Sequence, residues 1–309
     1  MQVGVLVVTY TAKHHLPHCL PPLLGSPLKP KVMVMNSSSN DGTVELAEEM
    51  GAKTLVIPRN GFNHGTSREI GRKALGCDIV VMITPDAYPL DVNMLGRLVQ
   101  PLLEGKASVS YARQVPHDNA DPLASFSRSF NYPSESHIRG IGDKEKWGVY
   151  SIFCSDSCAA YLNTALDEAG GFKEVLVGED TFTVAKLLKL GHKIAYVSEA
   201  VVKHSHNYTL KQEFQRSFDT GLARKKEKEL INEFGADEKR GADYVKGLLQ
   251  SLWKKNPFLI PYALLQSLAK YAGYRIGRGS LNAPLFWKKH FSGQDFYWRY
   301  ILSSSKNDG

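Results

Sequence analysis

The run Val80-Val81-Met82-Ile83-Thr84-Pro85-Asp86-Ala87-Tyr88-Pro89 constrains the fold of this chain more than any other stretch. Its apolar, mostly β-branched start reads as a central strand buried on both faces, as in a sheet with helices on either side. Pro85 and Pro89 then stop the ladder, because neither has an N–H to donate. Asp86 is thereby delivered to the carboxyl edge of a parallel sheet, where open α/β folds bind ligands. A carboxylate at that edge can hold a divalent cation against phosphate oxygens. The bland alternative is an aspartate capping a turn.

The flanking segments predict such a sheet. Val3–Val8 reads as a first buried strand ending at Thr9-Tyr10-Thr11, with a short, proline-interrupted helix over Leu16–Leu24. Lys31–Met35 is a second strand, followed at once by the turn-rich Asn36-Ser37-Ser38-Ser39-Asn40-Asp41-Gly42-Thr43. Thr43 or Asp41 caps a helix through Met50, and Lys53–Ile57 is a third strand. This alternation gives right-handed βαβ units and a mostly parallel sheet.

Arg59–Arg68 is a polar loop leading into a helix that continues through Leu75. Its glycines permit close backbone approach, while Asn63, His64 and Arg68 offer hydrogen bonds and charge to a nucleotide; a capped, solvated turn accounts for the same residues. A helix over Asp91–Leu103 and a strand over Ala107–Tyr111 follow. Residues 113–148 show no clear period and read as a mobile loop over a site, after which Ser151–Leu162 resumes strand character. Gly178-Glu179-Asp180 opens a helix over Thr181–Leu190, and its two carboxylates suit the helix dipole as well as chemistry. Short strands at Lys193–Val197 and Ala200–Val202 lead to His204-Ser205-His206, whose alternate histidines face one way and can approach one ion or anion.

The 309 residues suit one large domain, or a domain of about 200 residues with an appendage. The net charge of +7 is uneven: 1–210 hold 20 Lys/Arg against 21 Asp/Glu, and 211–309 hold 18 against 10. Cys19, Cys77, Cys154 and Cys158 form no secreted-domain framework and read as free thiols of a reducing cytosol. No signal peptide or membrane-spanning stretch is expected.

With these pieces assembled, the chain resembles the family-2 glycosyltransferases of the GT-A fold, the bacterial rhamnosyltransferase branch most of all. The resemblance covers about 1–220 well. It rests on Val7-Val8-Thr9-Tyr10, the Asn36–Thr43 segment, Phe62-Asn63-His64-Gly65-Thr66-Ser67-Arg68, Thr84-Pro85-Asp86-Ala87, Gly178-Glu179-Asp180 and His204-Ser205-His206-Asn207-Tyr208, in the family's order. It implies an α/β GT-A catalytic domain over 1–215 and a basic, mostly helical region over 216–309. The donor nucleotide sugar would be bound by Thr9, Tyr10, Asn36, Asp41, Asn63, His64, Gly65, Arg68, Thr84, Asp86, Ala87 and His206. Asp86 and His204 would hold a divalent metal, Mg²⁺ or Mn²⁺. Asp180 would be the catalytic base, with Glu179 its neighbour. Thr84 and Asn36 stand where the family more often has aspartate. An inverting transfer needs a carboxylate to take the acceptor proton and a cation opposite to stabilise the departing diphosphate.

The resemblance implies transfer of L-rhamnose from dTDP-β-L-rhamnose to a sugar hydroxyl of a surface polysaccharide or lipid-linked glycan, at the cytoplasmic side of the membrane. Alternatives are a UDP-linked donor, a sugar nucleotidyltransferase, and an inactive glycan-binding scaffold. A nucleotidyltransferase would want a glycine-rich phosphate loop that Thr9–His15 lacks. In the C-terminal region aromatic and basic residues adjoin moderately apolar helices. They fit peripheral contact with an anionic bilayer, or equally packing on the catalytic domain or a homodimer interface. No nucleic-acid motif accompanies the charge.

Overall fold

The computed structural model describes residues 1–235 and 238–299. In chain order the elements are β1 (Val3–Thr9), α1 (Leu16–Leu24), β2 (Lys31–Asn36), α2 (Thr43–Glu49), β3 (Lys53–Val56), α3 (His64–Leu75), β4 (Ile79–Ile83), β5 (Tyr88–Pro89), α4 (Met94–Leu103), β6 (Val109–Val115), α5 (Pro122–Asn131), β7 (His137–Arg139), α6 (Lys144–Trp147), β8 (Cys158–Leu162), α7 (Asn163–Glu168), α8 (Glu179–Lys189) and β9 (Ile194–Lys203). The helices α9 (Leu210–Lys226), α10 (Lys228–Ile231), α11 (Glu238–Lys255), α12 (Ile260–Gly279) and α13 (Leu285–Phe291) follow.

The strands join one sheet in the order β3-β2-β1-β4-β8-β6-β9-β5, with β7 paired to β9. β4 sits near its centre because its pleat feeds two cores. Val80 and Met82 pack on one side with Leu6 and Phe182, while Ile79, Val81 and Ile83 pack on the other with Val7 and Leu98. A strand covered on both faces has no polar alternation, which explains the unbroken apolar run.

Strand direction decides where the site lies. β3, β2, β1 and β4 are mutually parallel. β8 runs antiparallel to both β4 and β6, so β6 points the same way as β4, and β9 is parallel to β6. The carboxyl ends of β1, β2, β4, β6 and β9 therefore share one rim with the start of β8. Residues just after Thr9, Asn36, Ile83, Val115 and Lys203, and just before Cys158, are neighbours for this reason.

Three local expectations are corrected. Residues 113–148 are an ordered insertion holding α5, β7 and α6; Asp121 caps α5 by accepting from the Ala124 amide at 2.7 Å. The strand expected over Ser151–Leu162 begins only at Cys158, after a 3-10 turn over Gly148–Ile152. The two strands expected before His204 are the single β9, its register shifted opposite Ala112 and Arg113.

The expected boundary at 215/216 falls inside α9. Phe218 and Leu222 of that helix, with Tyr297 and Trp298, join the core layer containing Val80 and Phe182. α12 lies against α9 with backbones nearly touching: a Cβ on Gly221 would stand 2.2 Å from the Tyr274 carbonyl oxygen, and one on Gly277 2.0 Å from that of Phe218. Asp219 of α9 accepts from the Gly293 amide at 2.8 Å, ahead of Tyr297 and Trp298 in that core layer.

Candidate active site

At the rim, β4 and β9 bring Asp86, His204 and His206 together, their ligand atoms within 4.8 Å of one another. Nε2 of His204 lies 3.4 Å and Nε2 of His206 3.3 Å from Asp86 Oδ2. The two Nε2 atoms are 3.1 Å apart. Burial would raise the Asp86 carboxyl, but His204, the nearby Thr84 hydroxyl and His206 hold it well below the usual carboxylate range. Burial and the neighbouring His204 lower His206 to about 4, so its imidazole is neutral near pH 7. Thr84 Oγ1 makes no well-formed hydrogen bond although it is enclosed.

Gln114, at the end of β6, orients this group. Its Oε1 lies 2.8 Å from His204 Nδ1 and also accepts from Arg128 Nη1. Its Nε2 donates to Ser155 Oγ at 2.9 Å. Ser155 adjoins Asp156, whose amide donates to Asp180 Oδ2 at 3.3 Å. One line of contacts thus runs from Asp86 through His204, Gln114 and Ser155 to Asp180. The Thr84 amide, donating to the Ser157 carbonyl at 3.3 Å, ties the same two loops a second time.

Asp180 comes from the first turn of α8, entered through Gly178 at φ 86°, a left-handed conformation that glycine adopts freely. Asp180 is partly exposed, whereas Glu179 beside it is buried. Glu179 Oε1 pairs with Arg68 Nη1 at 2.9 Å, and Asp156 Oδ2 lies 3.0 Å from Arg68 Nε in an ionic contact without hydrogen-bond alignment. Tyr161 donates to Asp156 Oδ1 at 2.6 Å. Two carboxylates thus share one guanidinium, and Asp180 stands close enough to feel its charge. Burial and Glu179 push Asp180 up to about 6. Burial would also raise Glu179, but adjacent Arg68 brings it below its ordinary value. Asp156, enclosed and facing both other acids, is raised despite Arg68.

At the other end of the rim, Tyr10 is 50% exposed and carries the Arg59 guanidinium 3.6 Å above its ring. Arg59 Nη1 also donates to Ser37 Oγ at 3.1 Å. Asp41 accepts from the Thr43 and Ser39 hydroxyls and the Lys13 amide; these outweigh the raising effect of burial and lower it to about 2. His64 packs edge-on to Phe62 and to Phe296, whose ring centroid is 5.6 Å away.

Six of the expected donor residues are buried here and engaged within the protein. Thr9 Oγ1 donates to the Met35 carbonyl and accepts from Asn36 Nδ2. Asn36 is fully enclosed and also binds Ser39. Asn63 caps α3 and donates to the Val175 carbonyl. A Cβ on Gly65 would meet the Lys173 carbonyl oxygen at 1.8 Å, so this glycine is required by packing. Arg68 is consumed by its carboxylates, and Ala87 is buried in the core. Together they frame the rim; Tyr10, Asp41, His64, Thr84, Asp86, Asp180, His204 and His206 stand along it. Sequence reasoning missed Asp156 and Gln114. The one available signal for Asp156 was an acid just before the apolar run Cys158–Leu162, counterpart to Asp86 after β4.

Two cavities of about 920 and 940 Å³ are lined by residues other than those of this rim. A polar cavity of about 190 Å³ reaches it, lined by His206, Arg128, Tyr208, Arg216 and Lys270.

This sheet, with helices on both faces, has the GT-A architecture. Solved structures that share it include the Pyrobaculum calidifontis mannosyltransferase PcManGT in complex with GDP-Man and Mn²⁺ (TM-score 0.60, 16% identity, covering 100% of this chain and 88% of that one). Another is Staphylococcus aureus TarS 1-349 in complex with UDP-GlcNAc (TM-score 0.54, 14% identity, covering 91% and 92%). Residues 4–170 match the model for glycosyl transferase family 2, and the chain belongs to that family; it is a glycosyltransferase. It is 37% identical to the O-antigen chain rhamnosyltransferase RfbN of Salmonella typhimurium strain LT2 over 100% of this chain and 99% of that protein. It is 38% identical to the O-antigen chain rhamnosyltransferase WbaN of Salmonella anatum over 90% and 89%.

Proposed function

We propose that the protein transfers L-rhamnose from dTDP-β-L-rhamnose to a sugar hydroxyl of a growing, lipid-linked surface polysaccharide at the cytoplasmic face of the membrane, with inversion at the anomeric carbon. The observation that carries the reading is the convergence of Asp86, His204 and His206 with Asp180 on one sheet rim. The choice of rhamnose and of a surface polysaccharide rests on the names of the two near-full-length relatives.

In this reading Tyr10 and Arg59 receive the thymine base, and the Asn36–Thr43 turn borders the ribose. Asp86, His204 and His206 form a donor set of one carboxylate and two imidazoles, suited to Mn²⁺ more than to the oxygen-preferring Mg²⁺. A divalent cation held there supplies positive charge against the diphosphate oxygens. Asp180 accepts the proton of the acceptor hydroxyl as its oxygen bonds to the anomeric carbon. The bond from that carbon to the diphosphate breaks in the same step, and dTDP leaves with the electron pair. The Asp156 amide holds the Asp180 carboxylate in place and, with Arg68, favours the ionised form that can take a proton.

The test is a transfer assay with purified protein and a matched lipid-linked acceptor, comparing dTDP-rhamnose with UDP-linked sugars, alongside thermal shifts for dTDP and UDP with and without Mn²⁺. Rhamnosyl product with metal-dependent stabilisation by dTDP is the expected result. Preferential stabilisation by UDP would overturn the donor assignment, and nucleotide binding without product from any sugar would favour an inactive glycan-binding protein.

A further inference from the structure

The helix α12 is amphipathic in the wrong sense for a water-facing surface. Its inward stripe, Ala263, Gln266, Gly273 and Gly277, is small or polar and buried. Its outward stripe carries Leu264, Leu265, Leu268 and Tyr271, all about half exposed or more. A helix bordered by water on one side turns its apolar residues toward the core, and a contiguous apolar surface left outside marks a contact. Further exposed apolar side chains flank α12 along the chain. Phe258, 96% exposed, and Trp253 lie at the turn from α11, and Phe286 and Trp287 on α13. Among the described residues, half of the large apolar side chains standing exposed fall between 253 and 287.

The charge around this patch selects its occupant. Residues 244–294 contain eight Lys or Arg and no Asp or Glu. A second copy of the chain would bring like charges face to face across the apolar surface, which opposes self-association. A surface both apolar and negative fits, and an anionic lipid bilayer offers both. No helix among the described residues is long and apolar enough to cross a membrane, so the contact lies along the surface.

We infer that the outward face of α12, with the 253–258 turn and α13, is a docking surface for an anionic bilayer. The close glycine contacts between α12 and α9 couple it rigidly to the rim, because α9 starts at its Thr209 cap just after His206. A groove of about 940 Å³ between α11 and α12, lined by Tyr244, Leu249, Leu268 and Lys270, adjoins the polar cavity at His206, which shares Tyr244 and Lys270. The inference does not depend on the transfer reaction, and its test reads binding alone.

The experiment is flotation of the full-length protein with phosphatidylcholine vesicles, with and without phosphatidylglycerol. Binding is expected only to the anionic vesicles, with a blue shift of tryptophan fluorescence and release as ionic strength rises through about 0.15 M. A Leu265→Glu/Leu268→Glu variant should lose binding while keeping its melting temperature, and Lys254→Gln or Lys255→Gln should each weaken partitioning about fivefold. Failure to bind anionic vesicles at low salt, or unchanged binding by the double variant, overturns the inference. So does a dimer in sedimentation that the double variant dissolves, which would assign the face to a second copy.

Discussion

Nε2 of His204 faces the Asp86 carboxylate across 3.4 Å, while its other ring nitrogen, Nδ1, is held 2.8 Å from Gln114 Oε1. An amide oxygen only accepts, so Nδ1 keeps its proton, and it is Nε2 that would turn a lone pair to a cation in the space shared with Asp86 and His206. Gln114 thereby fixes the tautomer that a metal ligand requires. Gln114→Leu should weaken Mn²⁺ binding about 10–100-fold, and Asp86→Ala should weaken it further. Mn²⁺ titration by electron paramagnetic resonance measures both; wild-type affinity in both variants would remove the cation from this group.

The pH dependence follows from the crowding of three acids around Arg68. A carboxyl raised to about 6 is protonated below that value and cannot take the acceptor proton. Turnover should therefore fall on acidification, about tenfold per pH unit below an apparent pKa near 6 that belongs to the Asp156–Glu179–Asp180 cluster as a unit. A pH–rate profile at saturating donor and metal measures it, and activity still flat at pH 5 would contradict the assignment.

Arg68 is enclosed between two carboxylates, and one variant separates a structural cation from a donor contact. Arg68→Met leaves Asp156 and Glu179 without a counter-charge, and should cost about 3–5 kcal/mol of stability by urea unfolding. A variant that keeps full stability and only loses donor affinity would restore the donor-contact reading.

The close passage of α9 and α12 makes a local test possible. Gly277→Val should destabilise by about 1–3 kcal/mol, because even its Cβ overlaps the Phe218 carbonyl. Gly279, two residues on, has open space around its Cβ position, so Gly279→Val is the control and should stay close to wild type in thermal unfolding.

What was legible in the sequence was whatever local pattern expresses. The Val80–Ile83 run announced a doubly covered strand, and Asp86, Asp180, His204 and His206 each follow a strand end or open a helix. Partners distant in the chain were not legible. Arg68 reads as an accessible cation because nothing near it in sequence shows that Asp156 and Glu179 will enclose it. Gln114 lies inside a strand whose neighbours are supplied by β8 and β9. The helix α5 was missed although Asp121-Pro122 is a good helix start, because Leu123 is its only buried residue. Its Phe126 and Phe130 instead pack on Tyr244 of α11, far along the chain.

Single-turnover kinetics of Asp180→Asn, paired with calorimetry of donor binding in Mn²⁺, tests most directly whether the rim is a catalytic centre. The side chain keeps its shape and loses its basicity. Transfer should fall by about 10²–10⁴-fold with donor affinity close to wild type. Turnover within a few fold of wild type would mean that another group takes the proton.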